Sequence, residues 1–589
     1  MEIDQPYFNK ERTINMGRRI LNIILFSSCL LSYSQNPNFV WAKQISGNGC
    51  NNIGYSLKTD VSGNVYTIGT FDTITDFDPG PGTYTLSSFG YSDVFISKVD
   101  AAGNFVWAGK MGGNFVEYGT SIFIDNSSNV YSTGHFYSGV GDFDPGPGTY
   151  TLGMSGFGSG FVSKLNASGS FIWAKQIDGG YLNCNSIVVD VFGSVIICGT
   201  FRDTVDFDPG PTTYTMASLG FPTNAFITKL DANGNFIWAK QIKDSSMSQM
   251  RSIVCDGLGN IYCTGTFEGT ADFDPGIGTY SLTVGTYIDL FVLKLDMNGN
   301  FIWAKQIGGG LGIVDPSTIK LDASNNIINA GSFNTTADFD PGPSVFNLIG
   351  DPYFDAYVFK LNVNGNFIWA KQFEGNGTES GKGMDVDINN DIYITGSFSD
   401  TTDFDPGIGT FTLSTIPDFK QDIYISKISN AGNFVWVKQL GDTSWDEGYA
   451  ISVDANFNIY TTGYFRLTTD FDPNPGTYTL MGLGGRDAFV HKMCQLSCIT
   501  GVEDVIENDS FILQPNPNNG IFTLEIISKE FVIENTELKI INVLGQEIKE
   551  FKIQSSKQQM NLAEVEAGIY YLQLQKNSKP VVTKKIIKQ

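Results

Sequence analysis

A four-residue phrase, Asp-Phe-Asp-Pro, occurs seven times in this 589-residue chain at nearly constant spacing. The copies are 64 to 67 residues apart and begin at Asp76, Asp142, Asp206, Asp272, Asp338, Asp403 and Asp470. A second phrase, Phe-(Val/Ile)-Trp, keeps the same period, with tryptophans at Trp41, Trp107, Trp173, Trp238, Trp303, Trp369 and Trp436. A fixed period over most of a chain indicates an array of equivalent structural units.

Each unit reads as four β-strands, which in the first unit are residues 55–59, 64–71, 93–99 and 104–110. Most of these segments have the aromatic and β-branched content of strands, and turns rich in Asp, Asn and Gly separate them. A glycine recurs inside the second strand, at Gly69, Gly134, Gly199, Gly265, Gly331, Gly396 and Gly463. A glycine within a strand marks a bulge or a close approach of another backbone, and we attribute it to the neighbouring unit.

The two ends of the array complement each other. The last unit has three of its strands but no fourth, whereas residues 38–45 form a spare fourth strand before the first unit. Pairing that strand with residues 487–493 would close the array and remove an exposed strand edge. The sequence therefore predicts an all-β fold with a seven-bladed β-propeller over residues 36–493, closed by the N-terminal strand. An open β-solenoid is the alternative.

The units resemble the bacterial β-propeller repeat family called SBBP. The resemblance rests on Gly-Asn-Val-Tyr-Thr-Ile-Gly-Thr-Phe at residues 63–71 and on Asp-Val-Phe-Ile-Ser-Lys-Val-Asp at residues 93–100. It covers about three quarters of the chain. The resemblance implies the propeller fold and carries almost no information about activity.

The Asp-Phe-Asp-Pro-Gly loop has two interpretations. Two carboxylates two residues apart are hard oxygen ligands, so the loops could bind calcium, although the third acid and the terminal Glu of a full calcium loop are missing. The candidate ligands are Asp76, Asp78, Asp142, Asp144, Asp206, Asp208, Asp272, Asp274, Asp338, Asp340, Asp403, Asp405, Asp470 and Asp472. In the structural interpretation the phenylalanine fills a gap between units and the acids cap turns. We also predict that residues 83–86 pair back to form a small hairpin.

The N-terminus has the order of an export signal. Arg18 and Arg19 precede the apolar run 20–31, which small and polar residues follow. We assign residues 1–35 to a signal peptide, of which 1–15 form an upstream extension, and we expect no transmembrane segment in the mature chain. Eight cysteines fit an exported protein, and the pairs Cys184/Cys198 and Cys255/Cys263 are either cross-strand disulfides or buried thiols.

A segment of different composition follows the array, after a predicted linker at residues 494–508. Three motifs mark it, and they contain Pro515, Asn516, Pro517 and Gly520, then Gly545, then Gly568 and Tyr570; the chain ends with a basic stretch that includes Lys584 and Lys585. Alternating strands between them predict a small β-sandwich over residues 509–589. The order of the motifs resembles the type A sorting domain of the type IX secretion system of Bacteroidetes. That resemblance implies contact with the type IX machinery, export through the periplasm, and a secreted or cell-surface product.

The net charge of −24 argues against nucleic acid as a partner, because an acidic surface repels phosphate backbones. Catalysis has little support in the residues. The chain has two histidines, His135 and His491, from which no Ser-His-Asp set can be assembled, and phosphate-binding and cofactor motifs are absent. Calcium is the one cofactor that the sequence suggests.

These observations predict an exported β-propeller that acts as a binding or adhesion scaffold for a glycan or a protein. The loops between the fourth strand and the next first strand vary most, and varied loops on a rigid scaffold commonly serve recognition. From them we select Trp445, Asp446 and Glu447 as candidate contact residues; packing of Trp445 on a neighbouring loop is the structural alternative. The alternative function is a polysaccharide-degrading enzyme with an acidic site on the loop face.

Overall fold

The computed structural model describes residues 36–495, except 48, 50, 138, 155, 219–222, 245, 286, 416–419 and 484. In the C-terminal part it describes residues 511–514, 520–526, 536–542, 547–565, 568–576 and 579–588. Contacts divide the chain into two compact units, Met1–Ser497 and Cys498–Gln589. The predicted signal peptide and most of the predicted linker lie outside the described residues, in which every regular element is a β-strand.

The first of these units contains seven antiparallel sheets in the described residues, each built from four main strands. The first strands are Ile53–Thr59, Glu117–Ile124, Tyr181–Val189, Ser248–Cys255, Val314–Leu321, Ser380–Val386 and Glu447–Val453. The second strands are Val65–Phe71, Val130–Phe136, Val195–Arg202, Ile261–Phe267, Ile327–Phe333, Ile392–Phe398 and Asn458–Phe465. The third strands are Asp93–Val99, Ser159–Leu165, Asn224–Leu230, Asp289–Leu295, Asp355–Leu361, Asp422–Ile428 and Asp487–Cys494. The fourth strands are Phe105–Gly113, Phe171–Ile177, Phe236–Gln241, Phe301–Ile307, Phe367–Gly375, Phe434–Asp442 and Asn38–Ile45.

The fourth strand of the last sheet comes from the beginning of the array. Asn38–Ile45 pairs antiparallel with Asp487–Cys494, with Ala42 opposite His491 and Ile45 opposite Ala488. The sheet order is therefore the same as in the other six sheets, although about 440 residues separate the two strands in sequence. The predicted pairing of these two segments is confirmed.

The sheets pack face to face around a shared centre. Most second and third strands are buried along their whole length, because both faces of each sheet are covered. Each first strand contacts the first strands of the preceding and following sheets, and Ile53–Thr59 contacts Glu447–Val453. Between the last and first sheets, Trp41 and Val490 share an apolar cluster with Leu57 and Val65. This arrangement of radially packed four-stranded sheets is typical of a β-propeller.

The recurring glycine of the second strand faces the first strand of its own sheet, so our attribution of this glycine to the neighbouring unit was wrong. A Cβ at Gly69 would lie 1.8 Å from the carbonyl oxygen of Ile53, and one at Gly396 would lie 1.6 Å from that of Ser380. The same contact, at 1.8 to 2.2 Å, recurs at Gly134, Gly199, Gly265, Gly331 and Gly463. The first strand approaches because it is bulged at this level, and no side chain fits between the two backbones.

The Asp-Phe-Asp-Pro loops form the small hairpins that the sequence predicts. Their strand pairs are Ile74–Asp76 with Thr85–Ser87, Val140–Asp142 with Thr151–Gly153, Thr204–Asp206 with Thr215–Ala217, Thr270–Asp272 with Ser281–Thr283, Thr336–Asp338 with Asn347–Ile349, Thr401–Asp403 with Thr412–Ser414, and Thr468–Asp470 with Thr479–Met481. Each hairpin also bonds the end of the preceding sheet's fourth strand, or the residues just after it, as in the pairing of Asp142 with Gly112 and of Asp403 with Glu374. The short strand Lys243–Asp244 makes the same contact with Asp272. The hairpins thus join adjacent sheets at the outer strand.

The cysteines inside the sheets are free thiols, which excludes the cross-strand disulfides. Cys184 lies opposite Gly199 and Cys198 lies opposite Ser186, while Cys263 faces Ile253. Neither pair is in register, so the structural interpretation applies and these residues fill the core. Cys494, at the end of the last third strand, is disulfide-bonded.

The second compact unit consists of two antiparallel sheets over one apolar core. One sheet contains Phe511–Gln514, Ile521–Ile526 and Lys557–Asn561, and the other contains Glu547–Lys552, Thr536–Asn542, Gly568–Lys576 and Lys579–Lys588. Their buried residues include Phe522, Leu538, Met560, Leu572 and Ile586. Two sheets that share one core make a small β-sandwich.

Candidate ligand site at the mouth of the central cavity

Each of the seven first strands carries a β-bulge at the same level. In the first sheet Gly54 pairs with Gly69 and Ser56 pairs with Ile68, so Tyr55 has no partner in the ladder. Equivalent register shifts occur in the other six sheets. A bulge leaves one residue outside the pairing and redirects its side chain, which makes this position free of the constraints on the rest of the strand.

The seven bulge residues meet at the centre of the array and differ in chemistry. They line a common cavity of about 540 Å³, which we call the mouth cavity, together with Tyr118, His135, Asp315 and Pro316. The bulge residues are Tyr55, Thr120, Asn185, Arg251, Ser317, Lys382 and Tyr449. Two aromatic rings, two cations and three small polar groups therefore face one space.

Charges at the mouth cavity are paired between adjacent sheets. Arg251 Nε lies 3.4 Å from Asp315 Oδ1, and Lys382 bonds Glu447. Burial raises the pKa of Glu447, but the Lys382 ammonium and the hydroxyls of Tyr464 and Tyr449 together hold the pKa below its usual range. The Lys382 ammonium also lies 4.3 Å from the centre of the Tyr449 ring. Cations and carboxylates balance here, and the ion pairs fix the long side chains in place.

Aromatic side chains form part of the wall. The rings of Tyr55 and Tyr449 meet edge to face with centroids 5.3 Å apart, and Tyr118 lies 5.1 Å from the His135 ring. Burial raises the pKa of Tyr55 to about 12 and lowers that of His135 to about 4. Both side chains are therefore uncharged at neutral pH and can offer hydrogen bonds and apolar ring surface to a ligand.

The small polar bulge residues hold neighbouring first strands together. The Thr120 hydroxyl donates to the Cys184 carbonyl oxygen at 2.7 Å, and Asn185 Nδ2 donates to the Met250 carbonyl oxygen at 2.7 Å. Each bond crosses from one sheet to the next. These hydrogen bonds hold adjacent first strands, which carry the larger side chains, in fixed positions. The mouth cavity is therefore preformed.

The three predicted contact residues separate in the structure. Trp445 is exposed, whereas Asp446 is buried, where it accepts hydrogen bonds from the Arg466 amide and the Thr469 hydroxyl. Glu447 begins the last first strand and reaches Lys382 and the Tyr464 hydroxyl beside the mouth cavity. Contact of these residues with a ligand stays a prediction, and only Glu447 adjoins the bulge residues through a described contact.

The aspartates of the hairpins accept hydrogen bonds from backbone amides of the same hairpin. Asp76 Oδ1 accepts from the amides of Asp78 and Tyr84 at 3.0 and 2.8 Å, and Asp78 Oδ1 accepts from the Gly80 amide at 2.8 Å. Phe77 is 1% exposed and packs on Phe71 and Phe95. The first aspartate of each other copy makes the same two bonds: Asp142, Asp206, Asp272, Asp338, Asp403 and Asp470.

This geometry favours the structural interpretation of the loops over the calcium interpretation. Amide N–H groups point at one oxygen of each carboxylate, and a cation would have to compete with them. Among the described residues, no group of three or more His, Cys, Asp or Glu side chains is arranged to hold a metal ion. Calcium binding by these aspartates therefore stays a prediction that a chelator can test.

The sorting-motif residues lie partly in the described C-terminal strands. Gly520, with φ of 100°, precedes Ile521–Ile526, and Gly568 begins the strand that carries the buried Tyr570. Lys584 and Lys585 pair with Leu572 and Tyr571 in the last strand. Pro515, Asn516, Pro517 and Gly545 lie outside the described residues.

Sequence reasoning missed the bulge residues. A signal was present, because the position after Gly54, Gly119, Cys184, Met250, Pro316, Gly381 and Gly448 changes from unit to unit while the flanking positions stay small or apolar. The contact residues predicted from the sequence come from variable loops, whereas the varied bulge position lies inside a strand.

Family models match two parts of the chain. Residues 368–405 match the model described as Beta-propeller repeat, SBBP, and residues 513–589 match the model described as Secretion system C-terminal sorting domain. The chain carries an SBBP propeller repeat and a type IX sorting domain. The SBBP match runs from a fourth strand to the Asp-Phe-Asp-Pro hairpin of the next sheet, so it covers part of one repeat of the array.

A relative of similar sequence is an uncharacterized WD repeat-containing protein of Acanthamoeba polyphaga mimivirus. It is 24% identical over 514 residues, which cover 73% of this chain and 36% of that protein. The chain therefore spans about a third of the length of the relative.

Two solved structures align over long stretches at low similarity. A protein of unknown function from Bacteroides caccae is 11% identical, covers 59% of this chain and 89% of its own, and gives a TM-score of 0.31. PorZ, a bacterial surface component of the type-IX secretion system of Porphyromonas gingivalis, is 10% identical, covers 92% of this chain and 100% of its own, and gives a TM-score of 0.15. TM-scores this low do not define a shared fold over the aligned length.

The sorting domain establishes where the protein goes. Export by the type IX system delivers it to the cell surface or the extracellular space, as the sequence predicts. Among the described residues no helix has the length and apolar character needed to cross a membrane.

Proposed function

We propose that this protein is a closed, seven-bladed β-propeller that binds a glycan or protein ligand at its mouth cavity, outside the cell. The observation that carries the proposal is the convergence of seven unpaired and chemically different bulge residues on one preformed cavity. Structural repeats need no such variety, because equivalent positions with equivalent neighbours favour equivalent residues. Chemical variety at inward-facing positions of the first strands is what a binding site would require.

Closure of the ring is supported by a hydrogen bond at the junction between the last and first sheets that recurs at two internal junctions. Trp41 Nε1 donates to the Ala101 carbonyl oxygen at 3.3 Å, as Trp173 donates to Ala232 and Trp369 to Asn430. In each case the tryptophan of one sheet reaches the turn between the third and fourth strands of the next sheet. The junction between the last and first sheets thus uses the same contact as two of the internal junctions, which is expected of a ring without a gap.

The size and chemistry of the mouth cavity fit recognition of a small moiety. A cavity of about 540 Å³ lies within the range of small-ligand sites, and a sugar unit or an exposed side chain would fill much of it. Tyr55 and Tyr449 supply ring surface, while Asn185, Ser317 and the ion-paired Arg251 supply polar groups. A ligand with an apolar face and with hydroxyl or amide groups would contact the tyrosine rings and also hydrogen-bond the polar side chains.

The experiment is a glycan-array screen of the purified full chain, with a hydrolysis assay on any glycan that binds. Variants Tyr449→Ala and Arg251→Ala remove a ring and a cation from the mouth cavity, and Ile277→Ser, at a fully exposed hairpin tip, is the matched control. We expect binding without turnover, reduced about tenfold or more by either mouth variant and unchanged by the control. Product release would favour the alternative enzymatic function, and binding that both mouth variants preserve would overturn the assignment of the site.

The variant Trp445→Ala tests the contact residue chosen from the sequence. If the mouth cavity holds the ligand alone, this substitution leaves affinity unchanged. A loss of affinity as large as that of Tyr449→Ala would extend the site to the loop that carries Trp445.

A further inference from the structure

A second level of inward-facing side chains lies below the bulge residues. Three residues after each bulge residue, the first strands carry Lys58, Phe123, Val188, Val254, Lys320, Asp385 and Ser452. Five of these, including both lysines, line an inner cavity of about 220 Å³ that is continuous with the mouth cavity through the seven bulge residues. Three residues of strand span about 10 Å, which sets the depth of this level below the mouth.

The charges at this level do not balance. Lys320 Nζ lies 3.0 Å from Asp385 Oδ1, and Asp385 Oδ2 accepts from the Val453 amide at 2.9 Å, so both oxygens of the only carboxylate are used. Lys58 forms no ion pair with any described residue. At the mouth cavity, by contrast, each cation has its own carboxylate. Two lysines thus line the inner cavity, and the one carboxylate at this level, Asp385, lies beside Lys320. The excess of cations stands in a chain whose net charge is −24.

The lysines oppose each other's charge. The Lys320 ammonium, and then burial, lower the pKa of Lys58 to about 7, while Asp385 acts in the other direction. The remaining residues at this level, Phe123, Val188, Val254 and Ser452, do not titrate in the physiological range. An anion placed between the two lysines would relieve their repulsion and would favour the charged form of Lys58.

We propose that the inner cavity is an anion subsite in which Lys58 and Lys320 bind the carboxylate of an acidic sugar unit. The sugar ring would lie above the carboxylate, between the inner cavity and the tyrosines of the mouth. This assignment names the ligand class of the mouth cavity and rests on the proposed function for its glycan part. The lysine pair by itself requires only a carboxylate.

Two observations select an acidic sugar. The inner cavity of about 220 Å³ admits one sugar unit but no folded chain, and the polar wall from Ser56 to Thr318 offers hydroxyl groups on the way down. The tyrosines and the ion-paired side chains lie about 10 Å above, where the next unit of a linear glycan would be. A small free carboxylate would use the lysines and leave those groups without a role.

The experiment measures calorimetric binding of D-glucuronate, D-glucose and acetate to the purified full chain at pH 8. We expect glucuronate to bind and glucose not to bind. Because Lys58 is largely neutral at pH 8 and charged in the complex, binding should take up protons, which two buffers of different ionisation enthalpy reveal. Lys58→Met, which keeps the length of the side chain without its charge, should weaken glucuronate about tenfold or more. Lys320→Met should do the same.

Each alternative outcome has a distinct meaning. Equal affinity of wild type and Lys58→Met for glucuronate, or binding without proton uptake, would overturn the subsite. Acetate bound as tightly as glucuronate would overturn the assignment to a sugar. If neutral glycans bind through Tyr449 but glucuronate does not bind, the proposed function stands and this inference fails. If Lys58→Met abolishes glucuronate binding but Tyr449→Ala and the glycan array show nothing, the subsite stands and the proposed function fails.

Discussion

A Cβ atom at Gly69 would lie 1.8 Å from the carbonyl oxygen of Ile53, far closer than any ordinary contact between these atoms. The glycine therefore marks the place where the bulged first strand comes closest to the second strand. The same close approach of glycine and carbonyl oxygen recurs in every described sheet. The glycine and the inward bulge residue are therefore two parts of one recurring structural motif.

The first prediction tests this glycine–bulge motif in one sheet. Gly265→Ala should lower the free energy of unfolding by about 3 kcal/mol or more, because its Cβ would lie 1.9 Å from the Gln249 carbonyl oxygen and backbone must move. Gly257→Ala is the matched control, since a Cβ there meets nothing within 4 Å. Chemical denaturation followed by circular dichroism measures both. Similar midpoints for the two variants would contradict this account of the glycine.

The second prediction concerns pH. Burial raises the pKa of Asp422 and of Asp446 from 3.8 to about 7, and the two carboxyl groups repel each other across a junction between sheets. A carboxyl group with a raised pKa in the folded state stabilises the fold below its unfolded pKa, and this contribution is lost as pH rises. Stability should therefore fall between pH 4 and pH 7, by up to about 1.4 kcal/mol per pH unit for each group.

A variant isolates this effect. Asp422→Asn should stabilise the protein at pH 8 and flatten the pH dependence, because Asn224 already occupies the equivalent position in the third sheet with the equivalent bond from Gln241. The exposed Asp400→Asn removes the same charge at the surface and serves as the control. Thermal melts from pH 4 to pH 8 measure all three proteins. Parallel curves for wild type and Asp422→Asn would rule out this origin of the pH dependence.

The third prediction tests closure of the array. Removal of residues 36–46 deletes the strand that pairs with Asp487–Cys494 and exposes that edge to solvent. We expect the shortened chain to have a much lower thermal midpoint and to associate through the open edge, and a synthetic peptide of residues 36–46 should restore part of the midpoint. Calorimetry and size-exclusion chromatography report both effects. A monomer of unchanged midpoint would show that the array does not need this strand.

The fourth prediction addresses the hairpin aspartates. Asp272→Ala should cost about 1–2 kcal/mol, because the amides of Asp274 and Tyr280 lose their acceptor. Calcium and a chelator should leave the thermal midpoint of the wild-type chain unchanged, since amides already occupy one oxygen of each carboxylate. A midpoint that rises with calcium, and does so less in Asp272→Ala, would establish the calcium interpretation instead.

The repeat made most of the architecture predictable from the sequence. The third strand Asp93–Val99, the hairpin at Thr85–Ser87 and the pairing of Asn38–Ile45 with the last third strand follow from spacing and alternation. The inward site was not predictable in the same way. A bulge changes the direction of a side chain without changing the length of the unit, so Tyr55 and Arg251 look like ordinary strand residues in the sequence.

The charged interior was missed for a related reason. Lys58, Lys320 and Asp385 lie in three different units, and only the curvature of the array brings them together. Asp446 illustrates the converse case. The sequence predicted it as a ligand contact because it lies in a variable loop, but in the structure it is a buried hydrogen-bond acceptor. Variation along a sequence locates candidates, but burial decides which of them can meet a ligand.

The seven bulge residues also bear on how such a protein could change its ligand. Since these positions lie outside the ladder pairing, a single substitution at one of them alters the cavity wall and leaves the strand pairing of the sheet intact. Duplicated units would begin with identical walls and could diverge one side chain at a time. Seven such positions offer a very large set of surfaces on an unaltered scaffold, which suits a bacterium that meets new molecules at its outer boundary.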